Sequence, residues 1–377
     1  MIPLSRPVFL PQQLKYVEAL LQDGHLSGAG PYTLNCEQWL EKSMSTKGKA
    51  FLTPSGTMAL ELAAMAIDIQ PMDEVILPSY TYVSTANAFV LRGAVPAFVD
   101  LEADTMNIDA SKIEAAITPK TKAIVPVHYA GISCDMDMIM DIAKRHNLYV
   151  VEDAAQGLAA KYKGKTLGTI GHIGCMSFHE TKNVTAGGQG GAIMINDEAL
   201  LDRATAIYDN GTNRAQFLEG RVSQYSWTDI GSNFLMSEIL AALLWAQLEI
   251  LDDIQQQRHV LFDSYLKALQ PLEKAGHIVL PSTPEGCEHN AHIFYLKLKE
   301  PERREALMAH MKAQGVITAP HYVPLHVSEA GSRIGRFVGE DVNTSLSVSQ
   351  LLRLPLYSSM TKEEEYQVVK ALMDFWK

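Results

Sequence analysis

Ser177-Phe178-His179-Glu180-Thr181-Lys182-Asn183-Val184-Thr185-Ala186-Gly187-Gly188-Gln189-Gly190-Gly191 is the stretch that decides how this chain is read. It predicts a short apolar strand from Gly174 to Phe178, one lysine, a glycine-rich turn and a second strand from Ala192 to Ile195. A lysine enclosed in a cleft loses the water that stabilises its charge. Its pKa then falls, and the neutral amine becomes a nucleophile able to form a Schiff base with an aldehyde. Taken alone, Lys182 reads as a surface lysine beside a turn, because lysine is seldom buried. Residues elsewhere in the chain change that reading.

Working outward, residues 48–196 alternate short apolar runs with helical periodicity. Candidate strands are Ala50–Leu52, Glu74–Leu77, Ala97–Val99, Ala123–Val127 and Leu148–Val151, ahead of the two that flank Lys182. Met58–Ile67, Ala86–Leu91, Ala110–Ala116 and Met136–Arg145 read as helices between them. Continuous apolar strands separated by helices predict an α/β fold with a mostly parallel central sheet covered on both faces. Residues 235–270 read as long helices. Strands near Ile293–Leu298 and Val316–Ala319 and a helix from Lys362 to Trp376 then predict a smaller C-terminal α+β domain. The expected division is 1–245, an N-terminal segment with the large domain, and 246–377, the small domain.

With 377 residues, 32 basic and 43 acidic, the chain carries a net charge of −11. No Lys/Arg cluster is dense enough to follow a nucleic-acid backbone, so no nucleic-acid partner is expected. The most apolar stretch, Ile239 to Leu251, is too short to span a bilayer and contains Gln247 and Glu249, so it reads as a buried helix rather than a membrane span. The start lacks the regions of a signal peptide. Cys36, Cys134, Cys175 and Cys287 show no framework spacing, which suits free thiols in a reducing cytoplasm.

In open parallel sheets, ligands bind beyond the carboxyl ends of the strands. Here those ends carry Ser55-Gly56-Thr57, Tyr80-Thr81-Tyr82, His128-Tyr129, Glu152-Asp153-Ala154-Ala155-Gln156, and Ser177 with His179. Such a convergence is hard to explain as core packing. Ser55-Gly56-Thr57 opens a helix; besides capping it, the turn offers hydroxyls, free N–H groups and a positive dipole end to a phosphate, and Gly56 lets the phosphate approach. Asp153 ends an apolar strand where an unpaired carboxylate is costly to bury. It reads either as an ion pair with an Arg or Lys, or as the partner of a protonated pyridine nitrogen that keeps the ring an electron sink. Tyr82 reads either as core packing or as a cover for the ring face. With Lys182, these residues fit pyridoxal phosphate.

In this order the chain resembles the pyridoxal phosphate-dependent sugar-nucleotide aminotransferases of the DegT/DnrJ/EryC1/StrS family. The resemblance runs from Gly28 through PSGTMAL (54–60), PSYTYVSTANA (78–88), VVEDAAQG (150–157) and SFHETKN (177–183) to HYVPLH (321–326). It implies fold type I, the aspartate aminotransferase fold. It also implies pyridoxal 5'-phosphate, passing through pyridoxamine phosphate, and a homodimer with shared active sites. Lys182 matches the Schiff-base lysine, Asp153 the pyridine-nitrogen partner and Gln156 the residue that hydrogen-bonds the ring hydroxyl. Tyr82 matches a stacking aromatic, and Gly56, Thr57 and Ser177 match phosphate contacts. Asn233 matches an asparagine reaching the neighbouring subunit's phosphate, and His326 a histidine lining the sugar site. DTMNID, EAAIT, IVPVHYAG, GTIGHIGC, NGTNRAQF and NAHIFY further resemble members that use L-glutamate to aminate C4 of a dTDP-4-keto-6-deoxyhexose, giving the 4-amino-4,6-dideoxygalactose sugar nucleotide for enterobacterial common antigen. Two positions depart from many relatives: Gln189 stands where they have Glu, and Leu235 where they have Arg.

Other patterns point elsewhere only weakly. Gly28-Ala29-Gly30 lacks a preceding strand and has Thr33 at the third glycine position of a dinucleotide fingerprint. Gly164-Lys165-Thr166 has Ala159 where a phosphate loop needs glycine. Cys287, His289 and His292 have near-metal spacing but no evident fourth ligand, so no metal is expected. A sugar dehydratase of the same family has His at the lysine position, and an NAD-dependent epimerase needs the absent fingerprint. A non-catalytic regulator would have no need of the lysine, carboxylate and phosphate turn together.

Overall fold

The computed structural model describes residues 1–377, and the apolar runs up to residue 195, with one late edge strand, build one eight-stranded sheet. In chain order the strands of the molecule are β1 (Lys49–Thr53), β2 (Glu74–Pro78), β3 (Val95–Val99), β4 (Thr121–Ile124), β5 (Tyr149–Asp153), β6 (Lys161–Tyr162), β7 (Lys165–Thr166), β8 (Ile173–Ser177), β9 (Gly191–Ile195), β10 (Ile278–Val279), β11 (Cys287–Glu288), β12 (Phe294–Leu298), β13 (Arg336–Phe337) and β14 (Leu351–Leu354). The large sheet has the order β1-β9-β8-β5-β4-β2-β3-β13. All neighbours run parallel except β9, which is antiparallel to both β1 and β8. Strands β1, β2, β3 and β5 each bury four residues in succession, as a sheet covered on both faces requires.

Helices Gly56–Ala66, Val83–Val90 and Glu198–Tyr208 bury apolar faces in one core against this sheet, and Met136–His146 buries its face in another. Asp135 caps that last helix by accepting from Met138 N at 3.1 Å, and Asn147 ends it in the left-handed region at φ 53°. The expected helix over Ala110–Ala116 is instead two 3₁₀ turns, Ala110–Lys112 and Glu114–Ala116. The expected strand Ala123–Val127 stops at Ile124 because Pro126 has no N–H to give the ladder. Val127 resumes contact as a single bridge to Asp153.

A second core joins helices Leu251–Lys274, Arg304–Ala313 and Lys362–Asp374 to the sheet β10-β12-β14. The expected strand Val316–Ala319 is not formed; Val316 bridges Ile2 and Ala319 bridges Arg353. The strand that does pair with β12 is β14. Ile2 belongs to this second core, while β13 joins the edge of the large sheet. The boundary after residue 245 falls inside helix Glu238–Leu248, whose buried residues pack in a third core with helix Pro31–Ser43. The apolar stretch Ile239–Leu251 is broken between that helix and the next, and no helix is long and apolar enough to cross a membrane. Cys36, Cys134 and Cys175 are buried, Cys287 is partly buried, and none is bonded to another.

Adjacent acidic residues end β5 on opposite faces. Glu152 is fully buried and accepts from the N–H groups of Gly168 (2.8 Å), Ile170 (2.7 Å) and Gly171 (2.6 Å), and from His128 Nε2 (2.9 Å). It thereby fixes the turn that launches β8 towards Lys182. Replacing Glu152 with Ala orphans three backbone donors and is expected to cost about 3–5 kcal/mol. Urea unfolding would show this as a lower midpoint with an unchanged slope; a midpoint equal to wild type would mean water replaces the carboxylate.

Candidate active site

Four of the five strand ends expected to converge do so around a cleft of about 660 Å³; His128 and Tyr129 are buried outside its wall, His128 because it turns away to bond Glu152. It is lined after β1 by Ser55, Gly56 and Thr57, after β2 by Thr81, Tyr82, Ser84 and Thr85, at the end of β5 by Asp153 and Gln156, and after β8 by Ser177, His179 and Lys182.

Lys182 sits in the connection between β8 and β9. Its N–H donates to His179 O at 2.9 Å, and the next residue, Asn183, donates through Nδ2 to Asn290 O at 2.9 Å. The loop is thus pinned on both sides of the amine. Burial pulls Lys182 down to about 8, partly opposed by the negative charge of Asp153 and reinforced by the positive charge of Arg353. The amine is therefore available as a nucleophile near neutral pH. His292 Nδ1 donates to Asn183 Oδ1 at 2.9 Å, leaving its Nε2 as an acceptor. Burial, and then the charge of Lys182, hold His292 neutral, well below its usual range.

Asp153 is held, not ion-paired. Thr85 Oγ1 donates to Oδ2 at 2.7 Å and Ala155 N to Oδ1 at 3.1 Å, so each oxygen keeps acceptor capacity for one further donor. Gln156 is fixed by accepting from Ala130 N at 2.8 Å and donating to Tyr322 OH at 3.3 Å. At the opposite end, helix Gly56–Ala66 leaves the N–H groups of Gly56 and Thr57 without intrahelical acceptors. A Cβ on Gly56 would come within 2.9 Å of Ser177 Cβ, and one on Gly191 within 2.5 Å of the Ser55–Gly56 backbone. Only glycine allows the turns after β1 and before β9 to meet this closely. Thr57 and Ser84 share a hydroxyl hydrogen bond of 2.7 Å at the same end. Tyr82, largely exposed, stands on the rim with its ring 6.2 Å from that of Tyr322.

Two of the expected residues lie outside this cleft. Asn233 is exposed and is not part of the cleft wall of its own chain. His326 lies outside the wall as well, with Nδ1 bonded to Ser79 Oγ at 2.6 Å and Nε2 to Asp341 at 3.1 Å. Gln189 is exposed on the cleft wall, and Leu235 packs partly buried against the large-domain core. His289 packs against His259 and Phe262, and the structure holds no group of three or more metal-ligating side chains.

The sequence reading missed part of the wall. Leu4 and Ser5 reach it from the N-terminal segment, and His292, His321, Tyr322 and Arg353 from the second half of the chain. HYVPLH and NAHIFY carried a signal for His321, Tyr322 and His292, without a role for any of them. Arg353 sits in LLRLPL, for which no function was expected.

The sheet, with a carboxylate at one end of the cleft, a helix N-terminus at the other and a lysine between, is that of a pyridoxal phosphate-dependent transferase of fold type I. The chain belongs to the DegT/DnrJ/EryC1/StrS aminotransferase family, which it matches over residues 10–373. It is 33% identical to the spore coat polysaccharide biosynthesis protein SpsC of Bacillus subtilis, over 100% of this chain and 97% of that protein. It is 32% identical to GDP-perosamine synthase of Escherichia coli O157:H7, over 100% and 98%. Among solved structures, an aminotransferase from Psychrobacter cryohalolentis superposes with a TM-score of 0.91 at 30% identity, covering 98% of both chains. The sugar aminotransferase Spr1654 of Streptococcus pneumoniae, at 26% identity, gives 0.88 in its PLP form (98% and 97% of the two chains) and 0.89 in its PMP form (99% and 98%). The protein is a pyridoxal phosphate-dependent sugar aminotransferase. The cofactor fits the residues present: Asp153 has acceptor capacity to spare, the helix N-terminus has free donors, and the glycines at 56 and 191 shape the turn beside them.

The balance of charges around Lys182 has a measurable consequence. Asp153 raises the amine's pKa, so removing its charge must lower it. In the cofactor-free protein, the rate of acetylation of Lys182 followed by peptide mapping is expected to rise with pH through a midpoint near 8. In Asp153→Asn the midpoint moves to lower pH. A midpoint near the ordinary lysine value would show that the amine is not desolvated.

Proposed function

We propose that this aminotransferase moves the amino group of L-glutamate to the C4 keto group of a dTDP-4-keto-6-deoxyhexose. The product is a dTDP-4-amino-4,6-dideoxyhexose of galactose configuration, destined for cell-surface polysaccharide. The observation that carries amination itself is Lys182, a desolvated amine facing Asp153 across a cleft with a phosphate cradle. The choice of sugar rests on the resemblance of stretches such as IVPVHYAG and NAHIFY to members acting on that substrate. A GDP-linked keto sugar is the second reading, favoured by the likeness to a protein named GDP-perosamine synthase.

When bound, pyridoxal phosphate supplies an aldehyde for amine exchange and a cationic ring that accepts electrons. Asp153 keeps the ring nitrogen protonated, and Thr85 and Ala155 N hold that carboxylate in place. Gln156 would meet the ring hydroxyl and Tyr82 would cover the ring face, while Gly56, Thr57 and Ser177 would hold the phosphate. Lys182 Nζ would attach the cofactor and, as a neutral amine, would serve as the base that takes the donor's α-proton and as the acid that gives it back, in both half-reactions. His326 is assigned to the sugar end by its match to a family histidine alone; in this chain its ring bonds Ser79 and Asp341.

The active unit in this reading is a homodimer, with Asn233 reaching the partner's phosphate. Supporting it, the segment before Asn233 exposes Leu218, Trp227 and Ile230, apolar side chains that a partner would cover.

Three outcomes test these roles. Borohydride reduction of the loaded protein should label Lys182, and Lys182→Ala should lose all turnover; label on Lys161, Lys163 or Lys165 would overturn the assignment. A panel of dTDP-, UDP- and GDP-linked keto sugars, with the new C–N stereocentre read by NMR, decides the substrate; preference for a GDP sugar would replace the first reading with the second. Mixing Lys182→Ala with Asn233→Ala subunits should restore activity above either parent, because one site of each mixed dimer carries neither defect. No recovery despite demonstrated subunit exchange would place Asn233 outside the shared site.

A further inference from the structure

His292 is held at every polar atom but one. Its N–H donates to Asn290 Oδ1 at 3.1 Å, and its carbonyl oxygen accepts from the buried guanidinium of Arg258, which also donates to Ala291 O at 3.0 Å. In the ring, Nδ1 bonds Asn183 Oδ1 at 2.9 Å, and Asn183 directly follows Lys182. The direction of that bond is fixed, because Asn183 Nδ2 already donates to Asn290 O at 2.9 Å and Oδ1 is left as the acceptor. The proton of the neutral ring is therefore on Nδ1, and Nε2 is a bare lone pair without a partner in the chain.

Lys182 has the complementary need. Burial and the charges of Asp153 and Arg353 act on its amine, and no hydrogen bond within the chain satisfies it. Both side chains line the cleft, and both also line a second recess of about 10 Å³, together with Ala155, Ser177 and Asn290. That volume admits one amine group or one water and nothing larger. The charged and titratable groups around the pair are Asp153 near the amine, Arg258 on the histidine's carbonyl, and Arg353 and His321. Burial, with the charges of Arg353 and Lys182, holds His321 neutral.

We propose that His292 is a positioning residue for the reaction, its Nε2 accepting a hydrogen bond from Lys182 Nζ whenever the amine is free of the cofactor. This deepens the reading of Lys182 as the reactive amine and rests on it. An amine in a desolvated cleft is a weakened base, because the ammonium formed when it takes a proton has little water around it. An acceptor aimed at that ammonium offsets the loss. A carboxylate there would bring a full charge and hold the proton. A neutral imidazole stabilises the ammonium by less, so the proton can be returned. The same bond turns one N–H of the neutral amine into the recess and leaves its lone pair for the cleft. Lys182 Nζ gains a proton as the donor's C–H bond breaks and loses it as a C–H bond re-forms, while His292 keeps its single proton on Nδ1 throughout.

Two substitutions separate the ring nitrogens. His292→Asn puts an amide near the place of Nδ1 and nothing at Nε2, whereas His292→Gln puts one near Nε2 and nothing at Nδ1. In the cofactor-free protein, the pH midpoint for acetylation of Lys182 is expected to fall by about one pH unit in His292→Asn, the usual effect of losing a hydrogen bond to a charged group. In His292→Gln it should stay near the wild-type value, while the melting temperature falls with the lost bond to Asn183. In the loaded enzyme, His292→Asn should lower kcat about tenfold with the donor's KM little changed, and an α-deuterated amino acid should show a larger isotope effect than in wild type. His292→Gln should recover most of that rate. A midpoint unchanged or raised in His292→Asn would overturn the proposal, since Nε2 would then have no bond to the amine. A midpoint displaced equally in both variants would overturn it too, by making the histidine a prop for Asn183 alone. Should neither variant fold, ¹⁵N-histidine spectra of the cofactor-free wild type decide. The bare Nε2 of His292, set apart by its tautomer from His321, whose Nδ1 bonds Tyr129, should shift as Lys182 titrates, and the shift should be absent in Lys182→Met. An Nε2 signal indifferent to that titration would overturn the proposal. Borohydride label on another lysine would instead refute the role given to Lys182, and the acetylation midpoints would still decide whether His292 bonds its amine.

Discussion

Two neighbouring carboxylates at the end of one strand set the terms for the whole active site. Because side chains alternate across a strand, Glu152 and Asp153 must point to opposite faces of the sheet. Both are taken almost entirely out of water. An ionised carboxylate tolerates that only if its oxygens are met by donors. Glu152 is met completely, by three backbone N–H groups and a histidine, and so becomes the anchor for the turn into β8. Asp153 is met incompletely, by a threonine and one backbone N–H. The incompleteness leaves room for a ring nitrogen. The same burial that would destabilise a lone aspartate suits it to a cationic partner, the role proposed for it.

The amine answers this carboxylate from across the cleft. Its chain neighbours are immobilised by contacts to both cores: Asn183 to Asn290 and His292 at the entrance to β12, and Thr185 to Gln247 on helix Glu238–Leu248. Arg258, itself buried, donates to the carbonyl oxygens of Ala291 and His292 and so stiffens the same entrance. The lysine is thus placed by the large sheet and fastened by the second core. A site made in this way responds to changes in how the two cores sit against each other, since Lys182 and Arg353 reach the cleft from different cores.

How much of this could be read from residues alone depends on where each residue sits. Lys182, Asp153, Gln156 and the Ser55–Thr57 turn lie at the ends of strands with uninterrupted apolar runs, so their positions follow from the sheet. Arg353 was invisible for the opposite reason. It lies in the middle of a strand, where a single charged residue looks like an edge or a solvent face, and only the pairing of β14 with β12 turns it towards the cleft. Leu4 and Ser5 were invisible because nothing local predicts that an N-terminal segment will cross to the second core; the bridge from Ile2 to Val316 does that. Val316–Ala319 misled in turn, since β-branched residues gave it strand character while Pro320 denies the ladder a donor.

That crossing segment also has a bearing on synthesis. Leu4 and Ser5 leave the ribosome before any strand of the large sheet, yet their places are defined by Val316 and by Leu356, whose N–H donates to Leu4 O at 3.2 Å. The large sheet can be completed on a nascent chain up to β3, leaving only its edge strand β13 to come, but the cleft cannot. Its two flanking walls, one from residues 4–5 and one at Arg353, come together only once β14 has been made. Cofactor capture therefore waits on β14, and a chain stalled before it would have an ordered sheet and a lysine with no enclosed place to hold pyridoxal phosphate.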